Sequence, residues 1–307
     1  MLKTFKCSLK IIPIIWLCLW YAPVYAQSQD YPLLINSADT SMQAELERRI
    51  DNLGLRDAVD KKQLALALVD ITDRKQPRLA SINGNQMMYS ASLPKIAILF
   101  AAFQQIEDGR LAMNKQMLGD VTDMIRKSSN AAATRVLNMV GPFYLTRLLQ
   151  SDRYRFYDAK GNGGLWVGKP YGKSPAYQRD PLYSLSHGAT ALQVARYYYL
   201  LETGRLVSKK ASKKMKEILG KPGIHHKFVA GLEQTHPDAV IYRKSGTWRT
   251  YHSDSALVER DGRTYIAVAL ANDPKAGDWL RKIIVEMDNV IFIPSNKNQL
   301  AGLATSS

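Results

Sequence analysis

Leu46, Ile50 and Leu53 recur at helical spacing, which predicts an amphipathic helix over residues 41–53 behind an extended lead over 27–38. The apolar run over 64–72, the turn-forming residues 73–77 and a shorter run over 78–83 predict a hairpin. Helical pattern then takes over, at 93–106 with Asp108-Gly109 as its stop, at 119–127 and at 131–140. Pro142 suits the first turn of one more helix, which ends near Gln150. Residues 154–186 are rich in Gly, Pro, Tyr and Lys and show no period, and so long an aperiodic stretch inside a compact domain reads as a functional loop. Helical spacing returns over 191–201 and again from Ser208, a capping residue, to Leu219. Strands are expected at 239–243, 252–260 and 264–270, the last two joined by the hairpin signal Asp261-Gly262. A final helix over 278–290 turns Trp279, Ile283, Ile284 and Met287 inward.

Strands near both chain ends with helices between them predict an α+β fold: one antiparallel sheet built from both ends with flanking helices, and an all-helical subdomain inserted at about 92–203. The expected organisation is a leader over 1–26, a lead over 27–40, one domain over 41–292 and a disordered tail over 293–307. No internal repeat or low-complexity tract interrupts it.

The first residues change the picture of where the chain works. Lys3, Lys6 and Lys10 precede an apolar run over 11–21, followed by Val24-Tyr25-Ala26 with small residues at cleavage offsets, the layout of a secretory signal peptide. Pro13 interrupts the run, which is shorter than the ~20 residues a spanning helix needs. Cleavage before Gln27 predicts a periplasmic or secreted protein without a membrane span, of about 280 residues, enough for a full core. Both cysteines, Cys7 and Cys18, leave with the leader, so disulfides, thiolate catalysis and cysteine-held metals are excluded from the mature chain. The net charge of +15 favours anionic partners, which outside the cytoplasm means wall polymers and phospholipid head groups rather than nucleic acid, the bland counterpart being a soluble basic surface. Lys209, Lys210, Lys213, Lys214 and Lys216 read as the solvated face of one helix.

Three short patterns bear chemistry: Ser92-Leu93-Pro94-Lys95, Ser128-Ser129-Asn130 and Lys244-Ser245-Gly246-Thr247. Each alone is weak, and Ser81-Ile82-Asn83 is a decoy for the second. Their order and placement are not: the first opens a buried helix, the second joins two helices and the third ends a strand. Serine and lysine three apart at a helix start share a face, so a neutral amine can activate the hydroxyl, and the helix N-terminus favours negative charge developing at Ser92. The bland counterparts are a cap for Ser92, turn residues for Ser128 and Asn130, and an edge-blunting Lys244.

The combination resembles the penicillin-recognising serine hydrolases from about Ser41 to Val290, and is most similar to the class A β-lactamases, with Ser186-His187-Gly188-Ala189-Thr190 and the strands after Gly246 as further support. The resemblance implies that Ser92 is acylated, Lys95 takes its proton, and Ser128 relays a proton to the leaving nitrogen. It implies that Asn130 bonds Lys95 and the substrate amide, Lys244 holds Ser128, and Ser245 binds the substrate carboxylate. The N–H groups of Ser92 and Thr247 would then form the oxyanion hole, and Gly246 would let the strand come close. Arg249 and His252 are expected to assist carboxylate binding. His225, His226 and His236 are too scattered for a metal site, and no cofactor is expected.

The sequence departs from that family in three places. Class A enzymes carry a glutamate in the long loop that activates the deacylating water, whereas residues 131–201 contain no glutamate, leaving Asp152, Asp158 and Asp180, of which Asp158 and Asp180 are the candidate substitutes. The segment between Lys95 and Ser128 is short, which implies a more open cleft, and Ser129 stands where an aspartate is usual. The expected function is a β-lactamase-like hydrolase, slow to deacylate and monomeric, acting on a small β-lactam or a peptidoglycan stem peptide. The alternatives are a D-alanyl-D-alanine peptidase or transpeptidase, a β-lactam-binding protein of the wall, and a non-catalytic wall-binding module, the last disfavoured by Lys95 beside Ser92.

Overall fold

The computed structural model describes residues 31–293. The leader, the first residues of the lead and the tail from 294 onward lie outside the described residues. Helix α1 (Thr40–Asn52) starts where the Asp39 carboxylate accepts from Met42 N–H (2.9 Å), and it buries Leu46 and Ile50 as the spacing predicts. A short α2 (Arg56–Asp60) then leads to β1 (Leu64–Asp70) and β2 (Arg78–Ile82), the expected hairpin pair. The lead is not extended throughout: Leu34–Asn36 winds one tight turn, after which Leu79 N–H donates to Ser37 O (2.7 Å) and Asp39 N–H to Leu79 O (2.9 Å) along β2.

β3 (Met88–Tyr89) precedes α3 (Lys95–Glu107), α4 (Lys115–Arg126), α5 (Asn130–Val140) and α6 (Pro142–Gln150). Pro142 occupies the first turn of α6, where its missing N–H costs nothing. α3 is apolar on every side because it runs through the middle of the helical part; Ile96 to Phe103 are all buried. The aperiodic stretch holds β4 (Tyr157–Asp158), β5 (Gly163–Gly164) and β6 (Trp166–Val167), so the insert carries short strand pairs besides its helices. β7 (His187–Ala189), α7 (Ala191–Glu202), α8 (Lys209–Leu219) and α9 (Phe228–Thr235) follow. β8 (Val240–Trp248), β9 (Tyr251–Arg260), β10 (Arg263–Asn272) and α10 (Ala276–Phe292) close the fold.

The main sheet has the order β2-β1-β10-β9-β8, antiparallel throughout, so strands from both chain ends meet at β1 and β10. Both faces are covered. Leu64, Leu66 and Leu68 of β1 pack in the layer of α1, α9 and α10, whereas Ala65, Ala67 and Val69 pack with α3 and α7 on the other side. That two-sided burial explains an apolar run without polar alternation.

Three details depart from the sequence reading. β8 runs on through Trp248 instead of stopping at Arg243, so Lys244-Ser245-Gly246-Thr247 lies within a strand; the polar run hid this, because Lys244 and Ser245 are buried for reasons other than hydrophobicity. α9 follows Lys227, whose φ of 54° and missing side-chain cap give no sequence signal. Lys216 does not join the solvated face of α8: it is held by Glu202 and Glu259 at 2.6 Å each and lies over the Tyr242 ring.

Candidate active site

The turn between β3 and α3 sets up the first pair. Lys95 N–H bonds Ser92 O, Ile96 N–H bonds Leu93 O and Ala97 N–H bonds Pro94 O, an i to i+3 winding in which side chains three apart eclipse. Ser92 therefore stands on this turn just before α3, with Lys95 on the same side. Ala91, immediately before, has a φ of 50°, a strained conformation for a side chain with a Cβ. Among the described residues Ser92 Oγ makes no hydrogen bond.

Lys95 is fully buried, and its Nζ donates to Ser128 O (2.6 Å), Asn130 Oδ1 (2.8 Å) and Ser128 Oγ (3.4 Å). Burial pushes its pKa down to about 7. Lys244 Nζ donates to Ser128 Oγ (2.9 Å) and Ser245 O (2.7 Å), and burial, reinforced by the Lys95 charge, holds it well below the usual lysine range. One serine hydroxyl thus sits between two buried amines. Ser128 adopts a φ of 55°, and Ser129 caps α5 by accepting from Ala132 N–H (3.2 Å), so a serine does here what a short acid would do at the same place.

Gly246 is required by contact. A Cβ there would lie 2.2 Å from Ser90 O and 2.7 Å from Ser92 N, so β8 reaches the nucleophile turn only because position 246 has no side chain. Ser253 Oγ donates to Ser90 O (2.9 Å) and fixes that turn from the next strand. β8 is the edge of the sheet, so its cleft side is not covered by another strand.

Sequence reasoning missed Lys227. Its buried Nζ donates to Gly246 O (2.7 Å), Thr247 Oγ1 (2.7 Å) and Ser253 O (3.3 Å), and burial lowers its pKa to about 8. Only the tertiary contact reveals it. Ser245 Oγ lies 3.4 Å from His226 Nε2, in a ring kept neutral by burial, which lowers it to about 4. His252, opposite Thr247 across the β8–β9 ladder, lines a second pocket with His226 and Lys227, and its buried Nδ1 has no partner among the described residues. Arg249 is exposed and stacks on Trp248, its guanidinium 4.4 Å from the ring centre. His225 pairs with Glu233 and His236 with Asp288, and no cluster among the described residues could hold a metal ion.

A cleft of about 580 Å³ opens over Ser92, Asn130 and Thr247. Tyr89, Trp248 and Tyr251 form one wall, with ring centres 5.2 to 6.4 Å apart. The loop over 154–186 forms the other, and it is tied down rather than structureless. Asp180, buried within it, accepts from Tyr157 OH (2.9 Å), Tyr183 N–H (3.0 Å), Leu182 N–H (3.2 Å) and Leu185 N–H (2.5 Å). Asp158 is exposed and caps Lys160 N–H (2.9 Å). Neither of these candidate substitutes for the missing glutamate lines the cleft: Asp180 is taken up by its own loop and Asp158 by a turn. Tyr171 stands there instead, its ring 4.5 Å from Lys95 Nζ and its hydroxyl donating to Ala91 O (3.3 Å).

The profile of the beta-lactamase enzyme family matches residues 45–130 and 120–291 of this chain. The chain belongs to that family. As a beta-lactamase family member it is a serine hydrolase acting on β-lactams. No curated protein sequence matches it. Solved structures share the fold: PBP-A at 16% identity and a TM-score of 0.60, covering 82% of this chain and 95% of that one. A PBP-A mutant in an acyl-enzyme complex with penicillin G is similar at 18% identity and a TM-score of 0.59, covering 82% and 96%. A β-lactamase from Xanthomonas campestris pv. campestris is similar at 15% identity and a TM-score of 0.63, covering 81% and 98%. Among the described residues of this family member no helix is long and apolar enough to cross a membrane.

Proposed function

We propose that the chain is an exported hydrolase that takes the acyl group of a β-lactam on Ser92 and releases it slowly. The observation that carries this reading is the placing of the Lys95 and Lys244 amines on Ser128 beside the Ser92 turn. Lys95, half neutral near pH 7, accepts the Ser92 Oγ proton as Oγ bonds to the carbonyl carbon. The N–H groups of Ser92 and Thr247 hold the resulting oxyanion, usually the largest single catalytic contribution. Ser128 Oγ then gives its proton to the leaving nitrogen as the C–N bond breaks, and it is recharged from the neighbouring amine. Asn130 meets the substrate's side-chain amide. Ser245 binds its carboxylate, with the Lys244 and Lys227 amines behind it and His252 at the margin. Arg249, stacked on Trp248, belongs to the cleft rim in this reading.

Slow release follows from the want of a second base. Among the described residues no carboxylate lines the cleft, and the Tyr171 ring, 4.5 Å from Lys95 Nζ, crowds that amine as a holder of hydrolytic water. Losing an oriented base costs roughly 10² to 10⁴ in rate, so the ester should accumulate. Intact mass spectrometry after adding penicillin should show an adduct of one penicillin on Ser92 that outlives mixing by minutes, with weak turnover of a chromogenic cephalosporin. Absence of an adduct on Ser92, or undiminished labelling of Ser92→Ala, would overturn the reading. The same want of a carboxylate favours a second reading, a D-alanyl-D-alanine peptidase or β-lactam-binding protein; release of D-alanine from an acyl-D-alanyl-D-alanine peptide separates the two. Export is tested by N-terminal sequencing, which should begin near Gln27 in a periplasmic extract.

A further inference from the structure

The cleft is electrically one-sided. Lys169 and Arg179, both from the loop over 154–186, line it, and among the described residues no aspartate or glutamate does. Elsewhere in the fold some partly buried cations find carboxylates, as Arg49 does in Glu286 and Lys216 in Glu202, and others are satisfied by backbone carbonyls, as Arg126 is by Ile218 O (3.2 Å) and Arg205 by Tyr31 O (3.3 Å). Lys169 and Arg179 pair with no carboxylate among the described residues. Lys169 is half-buried, its backbone carbonyl sits 3.0 Å from His187 Nε2, and its amine meets no protein acceptor. Arg179 is exposed at the rim but steadied there by donating to Ser184 O (2.9 Å). A lysine and an arginine that face the cleft without a protein carboxylate leave positive potential there for an anionic group of a ligand to meet. The facing wall of Tyr89, Trp248 and Tyr251 is aromatic and suits an apolar ring or chain.

We infer that this site takes acyl donors whose arm on the carbonyl side carries a carboxylate, which Lys169 and Arg179 receive while the aromatic wall packs the rest of the arm. The inference rests on acylation at Ser92 and names the substrate class of that reaction. Two sources share the chemistry, a β-lactam with a carboxylated arm and a peptide ending in D-alanyl-D-alanine with a free side-chain carboxylate before it.

The test uses pairs that differ by the carboxylate alone. Acylation rates of the full-length protein are measured by intact mass for α-carboxybenzylpenicillin against benzylpenicillin, and D-alanine release for a peptide with a free carboxylate against its amide. The carboxylated penicillin should acylate on the order of tenfold faster at low salt, as expected for a charge met by two partly shielded cations, and the ratio should shrink toward one as salt rises from ~20 mM to ~0.5 M. Lys169→Gln with Arg179→Gln should bring the ratio close to one whatever the absolute rates, and the salt titration of the unmodified protein gives an answer even if that variant does not fold. A preference in the penicillin pair alone assigns the site to β-lactams, and one in the peptide pair alone to wall peptides. A ratio of one or below for both pairs in the unmodified protein, or a preference that survives both substitutions, would overturn the inference. Benzylpenicillin labelling of Ser92 with no carboxylate preference removes this inference alone, whereas no labelling by either penicillin removes the acylation reading beneath it.

Discussion

Lys95 illustrates how one residue's environment sets its chemistry. Its ammonium would be the ordinary state in water, but burial lowers its pKa to about 7, so near neutral pH a large share is free amine. Acylation that uses this amine as base should rise about tenfold per pH unit below about 7 and level off above it. Labelling with a fluorescent penicillin across pH measures this, and Lys95→Ala should slow it by roughly 10² to 10⁴. A rate that does not change between roughly pH 5 and pH 8 would remove Lys95 from the role of base. His187 does not compete for that role, since burial takes its pKa to about 4 and Nε2 is engaged with Lys169 O.

Among the elements, the loop over 154–186 has only short strand pairs and is held largely by side-chain ties, the buried Asp180 carboxylate first among them. Asp180 gathers four donors, three of them backbone N–H groups that would otherwise be left without partners. Hydrogen bonds to a buried charge are worth about 1.5–3 kcal/mol each, so Asp180→Asn should lower the melting temperature by several degrees. The lifetime of the Ser92 adduct should stay the same in that variant, because the carboxylate is spent within the loop. A much longer adduct lifetime in Asp180→Asn, with the fold intact by circular dichroism, would return Asp180 to the role of deacylating base. Loop residues 154–186 were legible in the sequence as a functional segment but not as an ordered one, since their order comes from Asp180, from Trp166 Nε1 on Gln178 O (3.0 Å) and from Tyr171 on α5 through Thr134. Pattern recognition cannot find such ties, because each joins residues without a shared period.

At the scale of the whole molecule, the buried cations make stability depend on pH. Lys95 has a folded pKa of about 7 and Lys227 of about 8, while an unfolded lysine titrates near ~10.4. Between those values the unfolded chain binds more protons than the native one, so stability rises with pH from about 7 to about 10. Above ~10 the gain ends, because the unfolded lysines lose their protons too, and the buried tyrosines, such as Tyr157, whose pKa burial raises well above the usual range, then keep protons in the fold that they lose on unfolding. Urea unfolding at pH 7 and 9.5 should show the rise, and Lys95→Met should reduce its slope while raising stability at pH 7; equal slopes in both proteins would contradict the argument. The α+β layout, the hairpin at Asp261-Gly262 and the three patterns around Ser92, Ser128 and Lys244 follow from the chain alone, because periodicity, turn chemistry and short motifs are local properties. Family membership rests on the same local signals, matched along residues 45–291. What tertiary structure decided is everything that depends on approach: a cleft in which, among the described residues, no carboxylate stands and Lys169 has no ion pair, Lys227 behind Thr247, and the glycine at 246 against Ser90 and Ser92. These depend on which buried groups meet across elements far apart in sequence, and on how far burial shifts their protons, neither of which any stretch of sequence encodes by itself.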